Sequence, residues 1–367
     1  MLALLGGLVA LVLGAEAFVR GASRGAALLG VPPLVIGLTV VAIGTSAPEI
    51  GISVGAAYAG RGDLALGNVL GSNLFNILVI LGLAAIIAPL VVARRLVQID
   101  VPIMIGVSLL AGGMALDGGF SRVDGAILLA CGLAYLAFMV IAAWRGAGKK
   151  GESEPAAGGD EFEREYHAPS AHGWRSWAIS AGLLAIGLVG LVFGSQWFVD
   201  GASGVARVLG VSELIIGLTI VAAGTSLPEV ATSVIAAMRG ERDIAAGNVI
   251  GSNIFNVVLV LGAAGLIAPA GVPVAQQALV FDLPVMIAVI LACLPIFLTG
   301  HRIDRWTGAL FLSGYGVYVT WLVLGATRGP GWLDFGSALL WFALPLALMT
   351  IATFWYRWRY ERHRPLA

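Results

Sequence analysis

The chain carries one message twice, 180 residues apart. Residues 37–49 read GLTVVAIGTSAPE and residues 217–229 read GLTIVAAGTSLPE. Residues 63–76 read DLALGNVLGSNLFN and residues 243–256 read DIAAGNVIGSNIFN. Each copy plants one glutamate, Glu49 or Glu229, in a stretch otherwise apolar enough to cross a bilayer. A carboxylate at that depth costs about 2.5–3.5 kcal/mol on insertion scales. Two such acids without matching lysines or arginines point to a cation as partner.

The surroundings of these acids exclude a soluble domain. Hydrophobic residues make up 59% of the 367 and charged residues only 11%, against about 25% charged in soluble domains. Apolar runs predict spans near 2–19, 34–59, 66–89, 99–116, 123–144, 177–199, 211–238, 246–268, 279–299, 306–325 and 335–356. The first run has no basic flank and has a counterpart in the second copy, FVRGAS at 18–23 against FVDGAS at 198–203. It therefore reads as a span and not as a cleaved leader. Cys131 and Cys293 fall inside spans without metal-ligand spacing and read as packing residues.

With the N-terminus outside, the inner connections hold seventeen lysines and arginines and the outer ones four: Arg61, Arg122, Arg207 and Arg328. That is the positive-inside bias. Five spans per copy is an odd number, so the copies must cross in opposite senses. Their matching loops exchange charge accordingly: Arg94 and Arg95 follow the third span, whereas the loop after the eighth has no basic residue. The expected fold is an all-α polytopic membrane protein with two inverted-topology repeats of five helices and a C-terminal eleventh helix. The expected division is residues 1–144, first repeat; 145–175, cytoplasmic linker; 176–325, second repeat; and 326–367, extra helix with a basic cytoplasmic tail.

The chemistry sits at two broken helices. Pro48 has no N–H, so the carbonyl of Gly44 loses its helical partner, and Gly44 adds backbone freedom at the same place. Irregular backbone at membrane depth is tolerated only where it faces protein or a polar cavity. Thr45 and Glu49 are four apart and share a face. Gly224, Thr225, Ser226, Pro228 and Glu229 rebuild the set from the other side. Asn68, Ser72 and Asn76 form a polar stripe on the third span, and Asn248, Ser252 and Asn256 repeat it on the eighth. Asn73 and Asn253 read as braces for these helices, as do Asn68 and Asn248. Asp100 and Asp282, each just before a Val/Leu-Pro pair, read as helix caps, and so do Asp63 and Asp243. A donor set made of oxygens suits hard cations, and one Ca²⁺ or two Na⁺ would neutralise the two glutamates.

At these residues the sequence resembles the cation/calcium antiporter superfamily, in particular the sodium/calcium exchangers and their bacterial relatives. Its two alpha repeats match GTSAPE with GNVLGSNLFN and GTSLPE with GNVIGSNIFN. The resemblance implies ten core helices, with the second, third, seventh and eighth around the ions. It implies ligands at Thr45, Ser46, Glu49, Ser72 and Asn76, and at Thr225, Ser226, Glu229, Ser252 and Asn256. One departure stands out: well-studied exchangers carry aspartate where this chain has Asn256.

The expected function is secondary antiport in the cell membrane, Na⁺ for Ca²⁺ by alternating access, with no cofactor and with lipid and inorganic cations as the only partners implied. The C-terminus is expected in the cytoplasm, and nothing suggests nucleic-acid binding. A Ca²⁺/H⁺ or Na⁺/H⁺ antiporter would use the same glutamates as proton carriers and remains the alternative. A membrane-embedded enzyme would need a nucleophile or metal-hydroxide site, and the motifs supply neither.

Overall fold

The computed structural model describes residues 2–147, 174–209, 222–298 and 301–328, together with Trp355. The eleventh span apart from Trp355, the first part of the seventh and nearly all of the linker lie outside the described residues. Eight described helices are long and apolar enough to cross a membrane, and a bent pair makes a ninth. The spans in order are Leu2–Leu29, Pro33–Thr45 with Ala47–Tyr58, Gly62–Ile87, Leu96–Asp117 and Arg122–Ala147. In the second repeat they are Trp174–Val208, a seventh span ending in Leu227–Met238, then Arg242–Ile267, Ala278–Leu298 and Arg305–Arg328.

Two small β-bridges reveal the inversion. Leu90–Val91, after the third span, pairs antiparallel with Arg302–Ile303, before the tenth. Gly119–Phe120, before the fifth span, pairs with Val272–Pro273, after the eighth. The helix Leu96–Asp117 separates the two first-repeat loops, so the bridges lie on opposite faces of the bundle. The third and eighth spans therefore finish on opposite faces, although their sequences match. One face carries Arg20, Arg24, Arg94, Arg95, Arg239, Arg242, Arg302 and Arg305; the other carries Arg61, Arg122 and Arg207.

The first and sixth spans are longer than their apolar runs. Helix continues through Arg20 and Arg24 to Leu29, and through Asp200 to Val208. The fifth helix likewise reaches Ala147 and the sixth begins at Trp174, inside the expected linker. Hydropathy detects contact with lipid, whereas a helix continues wherever its backbone bonds close and its polar side chains find partners. Glu16 supplies one such case, bonding Arg20 one turn on at 2.7 Å and pairing with Arg239 at the end of the seventh span.

These two long helices pack antiparallel along a seam of glycines. Gly7, Gly14 and Gly21 on the first span and Gly187, Gly194 and Gly201 on the sixth recur at seven-residue steps, each set against backbone of the other helix. A Cβ built on Gly14 would lie 2.8 Å from the Leu191 nitrogen, and one on Gly194 would lie 2.7 Å from that of Leu11. Backbone meets backbone here, which only glycine permits. The first span also packs along Leu227–Met238, while the sixth barely touches its counterpart Ala47–Tyr58. This asymmetry in a symmetric sequence leaves one side of the bundle open.

Candidate ion-binding site

The breaks fall where the prolines require them. The second span bends by 46° between Thr45 and Ala47, with Ser46 at φ −80° and ψ 6°. Ser226 has nearly the same backbone, φ −90° and ψ 8°. Pro48 and Pro228 then sit in the first turn of the new helix, where a missing N–H costs nothing. The same first turn places Glu49 and Glu229 at a helix N-terminus, whose free N–H groups favour negative charge. On the partner spans, Asn76 and Asn256 each open a π-helical segment, Asn76–Leu81 and Asn256–Leu261. A π turn widens the helix and often marks a functional site.

The two repeats hold each other's acids. The Ser46 hydroxyl donates to Glu229 Oε1 at 3.1 Å, and the Ser226 hydroxyl donates to Glu49 Oε1 at 3.0 Å. Ser72 lies 3.3 Å from Ser226. Thr45 donates to Asn248 Oδ1 at 3.1 Å, and Thr225 to Asn68 Oδ1 at 3.4 Å. Those asparagines are oriented in turn by serines, Asn248 on Ser233 at 2.8 Å and Asn68 on Ser53 at 2.9 Å. Ser53 and Ser233 went unread in the sequence, although each lies four residues after its glutamate and hence on the same helix face.

Glu49 and Glu229 are buried to 1% and 0% exposure, yet each keeps Oε2 without a hydrogen-bond partner. Asn76 Oδ1, Ser252 Oγ and Asn256 Oδ1 are likewise buried and unpartnered. Buried polar atoms are normally satisfied. Asn76 Nδ2 is unpartnered as well, but the free oxygens come from the third and eighth spans and the two broken helices. They form the donor set a hard cation takes. Asn73 accepts from the Asn256 amide at 3.1 Å and so leaves the Asn256 oxygen free. Asn253 instead bonds back to Val249 of its own helix. Gly44 packs its bare Cα against Phe18, and Gly224 packs against Val199, so the long helices press on both breaks.

One expectation is overturned. Asp100 does not cap its helix: it is wholly buried, with no side-chain bond to the helix start. It accepts from the Tyr135 hydroxyl at 3.0 Å, and Asp282 accepts from Tyr318 at 2.9 Å. Pro102 and Pro284 leave π turns ahead of them, Leu96–Asp100 and Ala278–Asp282, which turn each acid toward the neighbouring span. The cap reading assumed an interface position; tertiary packing buries Asp100 wholly and Asp282 partly. Asp63 and Asp243 do lie in the first turns of their helices.

A cavity of about 930 Å³ opens on the face that carries Asp63 and reaches down to Asn68, Ser72 and Thr225. Repeat-equivalent residues show that the opposite side is closed. Ile52 is 49% exposed and Thr232 is sealed at 0%; Leu64 is 55% exposed and Ile244 is sealed at 0%.

A family profile described as "Sodium/calcium exchanger protein" matches residues 1–144 and 179–324. The chain belongs to the sodium/calcium exchanger protein family. It is similar to the sodium/calcium exchanger MaX1 of Methanosarcina acetivorans, 35% identical over 345 residues, covering 88% of this chain and 97% of that one. It is also similar to the inner membrane protein YrbG of Escherichia coli, 37% identical over 318 residues, covering 87% and 94%. Among solved structures it resembles the sodium-calcium exchanger NCX_Mj soaked with zero Na⁺ and Ca²⁺. The TM-score is 0.72 at 34% identity, covering 87% of this chain and 97% of that one. As a member of this family the protein is a cation/calcium antiporter and not an enzyme.

Proposed function

We propose that this protein exchanges Na⁺ for Ca²⁺ across the cell membrane by alternating access, at a midplane site built around Glu49 and Glu229. The observation that carries this reading is the crossed pair of serine–glutamate bonds with both Oε2 atoms free. Two carboxylates from opposite repeats supply a charge of minus two, matched by one Ca²⁺ or by two Na⁺. Thr45, Ser46, Ser72 and Asn76, with Thr225, Ser226, Ser252 and Asn256, complete the oxygen shell. Asparagine at 256 leaves the shell with two acids, which suffices for neutrality with one divalent ion.

The mechanism follows from electrostatics. A loaded site is neutral and can be carried through a low-dielectric interior, whereas an empty one holds two uncompensated charges. The switch between faces is therefore favourable only with cargo, which couples the fluxes. Basic residues concentrate on one face, which supports a cytoplasmic position for that face and an N-terminus outside. The cavity then opens outward.

Labelled-calcium uptake into proteoliposomes loaded with Na⁺ tests the reading. Uptake is expected with an outward Na⁺ gradient and not with a proton gradient alone. Uptake driven only by protons reassigns the protein to calcium/proton exchange, and none under either removes calcium as substrate. Ser46→Ala and Ser226→Ala are expected to raise the half-saturating calcium concentration by roughly tenfold or more, since hydrogen bonds to buried charged groups contribute about 1.5–3 kcal/mol. Equal affinity to the parent protein in calorimetric titrations would contradict the crossed arrangement.

A further inference from the structure

Beyond the midplane site, we propose that Asp282 is a staging site where a transported cation first exchanges water for protein oxygens on its way inward. Asp100 serves the opposite face in the same way. The proposal rests on the antiport reading above and adds a second class of cation contact to it.

Asp282 ends a π turn on the ninth span and lies on the wall of the 930 Å³ cavity, with Gln277, Tyr315 and Tyr318. The mouth of that cavity carries Arg61 and Asp63, and its floor is Asn68, Ser72 and Thr225. Among the described lining residues, Asp282 is the sole ionisable carboxylate between mouth and floor. A cation moving from solvent to Ser72 travels along this wall. A carboxylate beside the Gln277 side-chain amide is a first station for a hard cation that still keeps most of its water, and the Tyr318 hydroxyl only braces that carboxylate.

A bracing role accounts for only part of this. The Tyr318 bond at 2.9 Å ties the tenth span to the ninth, but a neutral asparagine would accept it equally well. A charge at membrane depth is costly and needs a further reason. The repeat supplies one. Asp100 takes the same bond from Tyr135, is sealed at 0% exposure, and keeps Oδ2 without a partner among the described residues. One chemical unit thus faces the cavity on the open side and is shut away on the closed side. Exchange of the two environments is what inverted repeats produce when the opening changes face. Among the differences between the two units, Gln277 stands five residues before Asp282, and Arg95 five before Asp100. The arginine makes the sealed station the less attractive of the two for a cation.

The test measures concentration dependence of labelled calcium and labelled sodium flux from each side, in right-side-out and inverted membrane vesicles. Asp282→Asn keeps the acceptor for Tyr318 and removes the charge. It is expected to raise the half-saturating concentration about three- to tenfold from the side carrying Asp63, with little change from the other side. Asp100→Asn is expected to do the reverse. Asp282→Glu, which keeps the charge, and Tyr318→Phe, which keeps it without the bond, are expected to stay near the parent value. Parent-like behaviour of both asparagine variants on both sides overturns the staging site. Equal shifts on both sides, or a Tyr318→Phe effect matching Asp282→Asn, reduce the pairs to braces and also overturn it. Absence of flux in the unmodified protein instead removes the antiport reading, and the staging site with it.

Discussion

Glu49→Gln and Glu229→Gln are each expected to lower exchange by roughly a hundredfold or more. A carboxylate–cation contact at membrane depth worth about 3 kcal/mol corresponds to that factor in affinity. Each variant leaves the oxygen shell with half its charge, so a divalent ion is no longer neutralised. The two should be equivalent, because each acid is held by a serine of the other repeat in the same geometry. Stability should move the other way. Without cations the parent site buries two like charges, and removing one relieves that repulsion. Thermal unfolding in detergent without cations is therefore expected at higher temperature for each variant than for the parent. Calcium should raise the parent's transition, since a ligand at a hundred times its dissociation constant stabilises by about 2.7 kcal/mol. The variants should lose most of that rise. Parent-like exchange in both variants would place the ion elsewhere.

The second large effect concerns the glycine seam. Gly14→Leu and Gly194→Leu are expected to abolish folded protein or to cost well above the roughly 1–3 kcal/mol of ordinary overpacking. The reason is that the added carbons meet backbone, which cannot rotate away as a side chain can. Gly6→Leu is the control, because a Cβ there has open space within 4 Å. It should fold at least as well as the parent, since leucine favours helix over glycine by up to about 1 kcal/mol. Monodispersity on size exclusion and the unfolding temperature read all three. Equal behaviour at Gly6 and Gly14 would contradict the close approach of the first and sixth spans.

The candidate site was legible to the degree that its chemistry is local. The proline break at Ser46, the acid in the first turn after it and the polar stripe from Asn68 to Asn76 depend on residues a few positions apart, and helix periodicity fixes their faces. In the structure Ser46, Glu49, Ser72 and Asn76 are buried, and Asn68 is half-buried on the cavity floor. The partners across the repeats were not legible. Nothing in GTSAPE states that Ser46 serves Glu229 and not Glu49, which is three residues away in the same motif. Asp100 illustrates the same limit from the other side. Before a proline at the head of a helix, an aspartate looks like a cap, and only the position of Tyr135 on the next span makes it a buried acceptor. The glycine seam had a visible signal, a seven-residue period present in both copies. Glycine in an apolar helix, however, does not say which helix it faces.

The repeat in the sequence determined by itself that this chain spans a membrane, that its halves are inverted, and that each half carries one acid inside a span. An odd number of spans per copy and the cost of charge in lipid leave no other arrangement for those residues. Only the tertiary structure decided which serine holds which acid and where the first and sixth helices lock. It alone decided which face of a symmetric pair stands open. Two copies of one motif encode two near-equivalent sides, and the motifs themselves do not say which of them stands open. The packing of the first span on Leu227–Met238, without its mirror on Ala47–Tyr58, makes that choice.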